Sequence, residues 1–204
     1  MRSRVVVGSS PCGGWLVTAD YWESRLQLVN PFTGAQAELP ALTTMPCLDA
    51  APGNKFVFDE DGYALIRFED SPAPAKKTFC RSRLRHGFLR KVVLSSASGP
   101  GTSDYEAMLL RCLGDGPAFA TASDGQWSLA PSPHGAEDAV YRQQEGRFYS
   151  VAKNGVVESW KRLLDLGGPG RPGMYRSTVV TSKLAREDDF EMAKSTWWSR
   201  RPGG

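Results

Sequence analysis

The chain is punctuated by pairs in which an acidic or amide residue precedes glycine: Asp61-Gly62, Asp115-Gly116, Asp124-Gly125, Glu145-Gly146 and Asn154-Gly155. Glycine reaches positive φ without steric cost. Asp-Gly and Asn-Gly suit the type I′ turn, whose twist matches that of two paired strands. The short segments flanking such turns are read as strands. The clearest hairpin is Arg147–Lys153, Asn154-Gly155, then Val156–Lys161. A second joins Lys55–Phe58 to Tyr63–Phe68 through Asp59-Glu-Asp-Gly62, and a third pairs Gly14–Thr18 with Arg25–Val29. Helical periodicity is almost absent before residue 180. The expectation is an all-β chain.

Two kinds of strand are present. Arg25-Leu-Gln-Leu-Val29 alternates, as a strand with one wet face does. Arg90–Leu94 and Ala107–Leu113 are apolar on both alternations, so each needs cover on both sides. Stacked propeller blades supply that cover. Between Phe88 and Pro131 the pattern is four strands (91–95, 105–113, 118–122 and 126–130) in 44 residues, about the 40–45 residues of one blade. Trp15, Trp127 and Trp160 follow a glycine by one, two and five residues, a loose repeat of strand-borne aromatic rings. Pattern alone leaves propeller and β-sandwich both open.

Composition narrows the function classes. The chain has 25 Lys+Arg against 22 Asp+Glu, a net charge of +3, which makes no electrostatic case for a dedicated nucleic-acid or membrane-surface protein. No apolar run approaches the roughly 18 residues of a membrane span. The N-terminus has too short an apolar stretch for a secretory signal. Cys12, Cys47, Cys80 and Cys112 are widely spaced, unlike zinc or redox pairs. They are read as reduced, mostly buried thiols of an intracellular protein, cytoplasmic or nuclear.

Signs of chemistry are few. The only histidines are His86 and His134. Asp59-Glu60-Asp61 and Glu187-Asp188-Asp189 fit no calcium loop and are read as a charged turn and a solvated helix face. Neither a nucleophile elbow nor a phosphate-binding glycine loop is present. No catalytic, cofactor-binding or metal-ligating residue is therefore assigned, and no cofactor is expected. The sharpest charge feature is residues 76–91, with seven basic residues and no acid. One reading is a nuclear-localisation or nucleic-acid patch with Phe79 and Phe88 as stacking rings. The favoured one is an exposed connection between blades, able to steer an acidic protein partner.

Several motifs carry a family resemblance. Val7–Ser10, Gly14-Trp-Leu-Val-Thr-Ala-Asp20, Leu28-Val-Asn-Pro-Phe-Thr-Gly34 and Glu38-Leu-Pro40 come first, followed by Phe88–Ser96 and Asp138-Ala-Val-Tyr141 leading into Gly146–Val151. In this order, over about residues 5–165, they resemble the KIB-type β-propeller domain of plant F-box and F-box-like proteins. The resemblance implies a partial β-propeller of about four antiparallel four-stranded blades over residues 1–166. Residues 167–204 are expected to be a Gly/Pro-rich, poorly ordered tail, with 183–194 a candidate short helix. It also implies a non-enzymatic protein-interaction module, whose partner is a kinase or a ubiquitin-ligase substrate. The F-box itself is not seen, and the chain reads as a truncated gene product with an open blade face. The alternatives are a fragment without independent function, nucleic-acid binding through residues 76–91, and a propeller hydrolase, for which two histidines are poor provision.

Overall fold

A computed structural model describes residues 3–11, 13–20, 22–58, 77–95, 105–112, 116–163 and 174–181. These form four successive antiparallel units, two of which, the first and the third, join into one eight-stranded sheet. The first contains β1 (Arg4–Ser9), β2 (Leu16–Asp20), β3 (Leu26–Val29) and β4 (Gln36–Glu38). The second contains β5 (Leu48–Ala51), β6 (Lys55–Phe58) and β7 (Lys77–Cys80), followed by helix α1 (Arg81–Phe88). The third contains β8 (Leu89–Leu94), β9 (Glu106–Arg111), β10 (Ala118–Thr121) and β11 (Ser128–Leu129). The fourth contains β12 (Asp138–Arg142), β13 (Arg147–Val151), β14 (Val157–Leu163) and β15 (Met174–Thr181). Each sheet pairs its strands in chain order, the up-and-down meander of a propeller blade.

The third sheet is the doubly apolar one. Val92, Leu109 and Ala118 lie in register on one face, with Leu94, Ala107 and Ala120 beside them. That face joins a core shared with Trp15, Val17 and Leu28 of the first unit and Phe56 and Phe58 of the second. Val93, Met108 and Phe119 line the opposite face and pack with Phe148 and Trp160 of the fourth sheet. The first sheet alternates instead. Its outer face carries a polar ladder in which Arg4 Nε donates to Thr18 Oγ1 (2.9 Å) and Gln27 Nε2 to Gln36 Oε1 (2.9 Å).

The first and third sheets also meet edge to edge. β1 and β8 run parallel, with Gly8 opposite Val92 and Ser9 opposite Val93. A β-carbon on Gly8 would lie 1.8 Å from the Val92 carbonyl oxygen, so only glycine permits this approach. No local sequence pattern announces such a distant parallel pair.

The hairpin at Asn154-Gly155 forms as expected, with Val151 opposite Val157 and Phe148 opposite Trp160. Its turn differs in detail. Gly155 alone takes positive φ (80°), and its N–H donates to the Ala152 carbonyl. This is a three-residue loop of type I turn and glycine bulge rather than type I′. The pairing of β2 with β3 and the four strands of the third sheet follow the sequence reading. Residues 63–68, expected to pair with β6, lie outside the described residues, and β6 pairs with β7.

Three expectations are corrected. A helix, α1, occurs well before residue 180. It was missed because its apolar stripe is only Leu84 and Phe88, both fully buried. Of the described cysteines only Cys47 is buried; Cys80 and Cys112 are exposed, at the ends of β7 and β9. Met174–Thr181, read as part of the tail, is a strand pairing along β14 from Leu163–Met174 to Val157–Thr181. The helix expected over 183–194 lies outside the described residues, as do both acidic clusters. On the outward face of the fourth sheet, Val140, Met174 and Val180 are exposed.

Candidate protein-interaction cleft

Trp22 sits in the tight loop between β2 and β3. Asp20, buried at the end of β2, accepts hydrogen bonds from the backbone N–H groups of Trp22 (2.8 Å) and Glu23 (2.9 Å). Ser24 adopts φ 57°, and its hydroxyl donates to the Arg81 carbonyl (2.7 Å) at the start of α1. A further bond runs from Leu42 N–H to the Ser24 carbonyl (3.1 Å). The loop is thereby fixed at both ends, while the Trp22 side chain remains 61% exposed. A large ring held in water by a rigid loop gives up apolar burial that a flexible loop would recover.

The facing wall is built from β7 and α1. Leu84 and Phe88, one helical turn apart, anchor α1 in the core, where Phe58 meets Phe88 edge-on at 5.8 Å. The opposite side of the helix then faces outward. A β-carbon on Gly87 would lie 2.5 Å from the Phe79 ring, so this glycine lets Phe79 pack close against the helix. Together Trp22, Thr78, Phe79, Cys80, Ser82, Arg83, His86 and Gly87 enclose an open cleft of about 670 Å³. Arg83 supplies its charge, the Arg85 guanidinium lies against the His86 ring, and no acidic residue lies in the first turn of α1.

The family model described as KIB1-4 beta-propeller matches residues 1–196. The chain belongs to the KIB1-4 β-propeller family. The match runs past the motifs that carried the resemblance and takes in β15. No curated protein matches the chain.

In this KIB1-4 propeller the basic segment is not one patch. Arg90 pairs with Glu137, and Lys91 with Asp138 (2.6 Å) and the Ala139 carbonyl (3.2 Å), so both tie the third sheet to the fourth. The Lys91 hydrogen bond holds the Asp138 carboxyl below its ordinary value. Arg81 lies over the Phe56 ring at 5.6 Å. Phe88, one of the two supposed stacking rings, is fully buried beneath Arg111. Phe79 alone reaches a cleft, and Lys76 lies outside the described residues. The repeated tryptophans are packing residues: Trp127 Nε1 donates to the Pro40 carbonyl (3.0 Å) and Trp160 Nε1 to Ser150 Oγ (2.8 Å).

A second, smaller cavity of about 290 Å³ opens between the third and fourth sheets, lined by residues including Ser95, Tyr105, Glu106, Thr121 and Arg162. Tyr175 of β15 donates to Glu106 of β9 at 2.5 Å. Burial raises the Glu106 carboxyl above its usual value and pushes the Tyr105 phenol up to about 12. The Tyr105 hydroxyl donates to the Glu38 carbonyl (2.7 Å). These bonds join sheets to one another. Among the described residues no group of three or more His, Cys, Asp or Glu could hold a metal ion, and no helix is long and apolar enough to cross a membrane.

Sequence reading missed Trp22 altogether, because exposure is a tertiary property. The available signal was a tryptophan in a turn between two short alternating strands, where neither alternation buries it.

Proposed function

We propose that this chain is a non-enzymatic protein-interaction module that grips a partner at the Trp22 cleft. The observation that carries the reading is the Trp22 ring, 61% exposed on a loop whose backbone is fixed by Asp20 and Ser24. Tryptophan is among the side chains that dominate binding energy at protein interfaces, and a preorganised ring loses little entropy on binding. Membership of the KIB1-4 propeller family supports an interaction role over a catalytic one. The finer reading is an intracellular protein, cytoplasmic or nuclear, whose partner is a kinase or a substrate of a ubiquitin ligase.

The test is affinity capture with the folded full chain from cell extract, followed by mass spectrometry and a ubiquitination assay on each captured protein. The expected result is a kinase, or a protein whose ubiquitination rises with the chain present. Folded chain that captures no protein above an unrelated propeller control refutes the module. Capture of proteins that are neither kinases nor ubiquitinated refutes the finer reading alone.

A further inference from the structure

The cleft's chemistry defines what fits it. Its apolar part is the pair of rings Trp22 and Phe79, with Gly87 and Cys80 between the walls. Its polar part is one-sided. Arg83 is exposed on α1, His86 lies one turn along, and Lys77 is exposed at the start of β7. Glu23, beside Trp22, pairs with Arg25 at 3.2 Å. The local field therefore favours an anion next to an apolar side chain.

Resting on the interaction-module reading, we infer that the cleft takes an acidic, extended peptide segment of the partner protein. A Leu, Phe or Trp side chain of that segment enters between Trp22 and Phe79. A neighbouring Asp or Glu meets the Arg83 guanidinium. Arginine suits this contact because its planar fork can donate to both oxygens of a carboxylate.

A nucleic acid fits less well. Binding along a phosphate backbone draws on many cations at once. Arg90 and Lys91 are engaged by Glu137 and Asp138, and Arg81 lies over Phe56. Phe88, being buried, cannot stack on a base. What remains is a short cationic wall beside two rings. That arrangement suits two adjacent side chains of a peptide.

The experiment selects phage-displayed random peptides against the immobilised full chain, then measures the enriched sequences as soluble fluorescent peptides by anisotropy. The expected consensus places Asp or Glu next to a large apolar residue. Trp22→Ala and Arg83→Glu should each weaken binding roughly thirtyfold or more, the size of an interface hot spot. Lys153→Glu, on the exposed β13–β14 turn, should leave affinity unchanged. Circular dichroism of each variant confirms that the fold is kept. A neutral or basic consensus, no enriched sequence, or affinity indifferent to both cleft variants overturns the inference. Tighter binding of a single-stranded oligothymidylate, lost in Arg83→Glu, overturns it in favour of nucleic acid. Partner capture that survives both variants overturns the cleft assignment and leaves the interaction module standing; failure of wild-type capture is the failure of that broader reading.

Discussion

Replacing Phe119 by alanine tests whether the third and fourth sheets share one core. Phe119 is fully buried on β10 and meets three rings: Tyr175 stacked at 3.8 Å and 8°, Trp160 at 5.6 Å and Phe148 at 5.7 Å. All three partners lie on the fourth sheet. Truncating a buried phenylalanine costs about 3–5 kcal/mol through lost transfer energy and the cavity left behind. Each aromatic pair adds about 0.5–1.5 kcal/mol beyond burial, which places this site at the upper end of that range. A loss of about 4–5 kcal/mol is a large share of the ~5–15 kcal/mol that holds a domain together. For a chain of this size it lowers the melting temperature by roughly 8–20 °C. Urea and thermal unfolding followed by circular dichroism measure it, with Phe119→Leu as a partner variant that keeps most of the volume and loses less. Limited proteolysis of Phe119→Ala should cut first within the fourth sheet. A loss below about 1 kcal/mol, with unchanged proteolysis, would refute the shared core.

Four other outcomes follow from the packing and hydrogen bonding described above. Gly8→Ala should destabilise by about 3 kcal/mol or more, since the new methyl meets backbone, whereas Gly125→Ala, with open space around it, should stay within about 0.5 kcal/mol in the same urea titration. Asn30→Ala should cost about 2–3 kcal/mol, because Asn30 accepts from the Phe32 and Thr33 N–H groups and donates to the Gly13 carbonyl (2.8 Å); equal unfolding midpoints would refute it. The Tyr105 phenol, raised from 10.0 to about 12, contributes stability that is whole below pH 10 and is lost as pH rises through 12. Tyr105→Phe should remove that part of the alkaline loss, read from unfolding midpoints on either side of pH 10. Glu106, raised mainly by burial, contributes stability present below the ordinary carboxylate range and lost as pH rises through its elevated value. Glu106→Gln should flatten the stability curve from acid to neutral pH, and superimposable curves would contradict this.

The parts of the fold that were legible in the sequence are those whose physics is local. Asn154-Gly155 reverses the chain through a glycine that needs no distant partner, so the β13–β14 hairpin was visible at once. The double apolar alternation of β8 and β9 stated that both faces of the third sheet are covered, and they are. The sequence could not say which sheets do the covering. The β1–β8 bridge is a parallel pairing of residues far apart in the chain, and nothing near Gly8 distinguishes its close approach to Val92 from an ordinary turn. Helix α1 was hidden because Arg81-Ser-Arg-Leu-Arg-His-Gly-Phe88 presents only two apolar positions, and its many basic residues drew attention to charge instead. That charge was overread: Arg90 and Lys91 serve the joint with the fourth sheet. β15 follows a glycine- and proline-rich stretch, and its alternation is too mixed in polarity to stand out without β14 beside it. The cleft was illegible for a different reason, since Trp22 in the β2–β3 loop and Arg83 on α1 are brought together only by tertiary packing.

The Gly8–Val92 contact sets an order of events during synthesis. As the polypeptide leaves the ribosome, its first ribbon emerges with one side bare and must wait until residues 89–94 have appeared before that side is satisfied. Loop closure over so long a span is slow, and the unsatisfied margin is open to neighbouring nascent chains in the meantime. Recombinant pieces ending before residue 89 keep that margin permanently bare and should precipitate, while those continuing through it gain their seal.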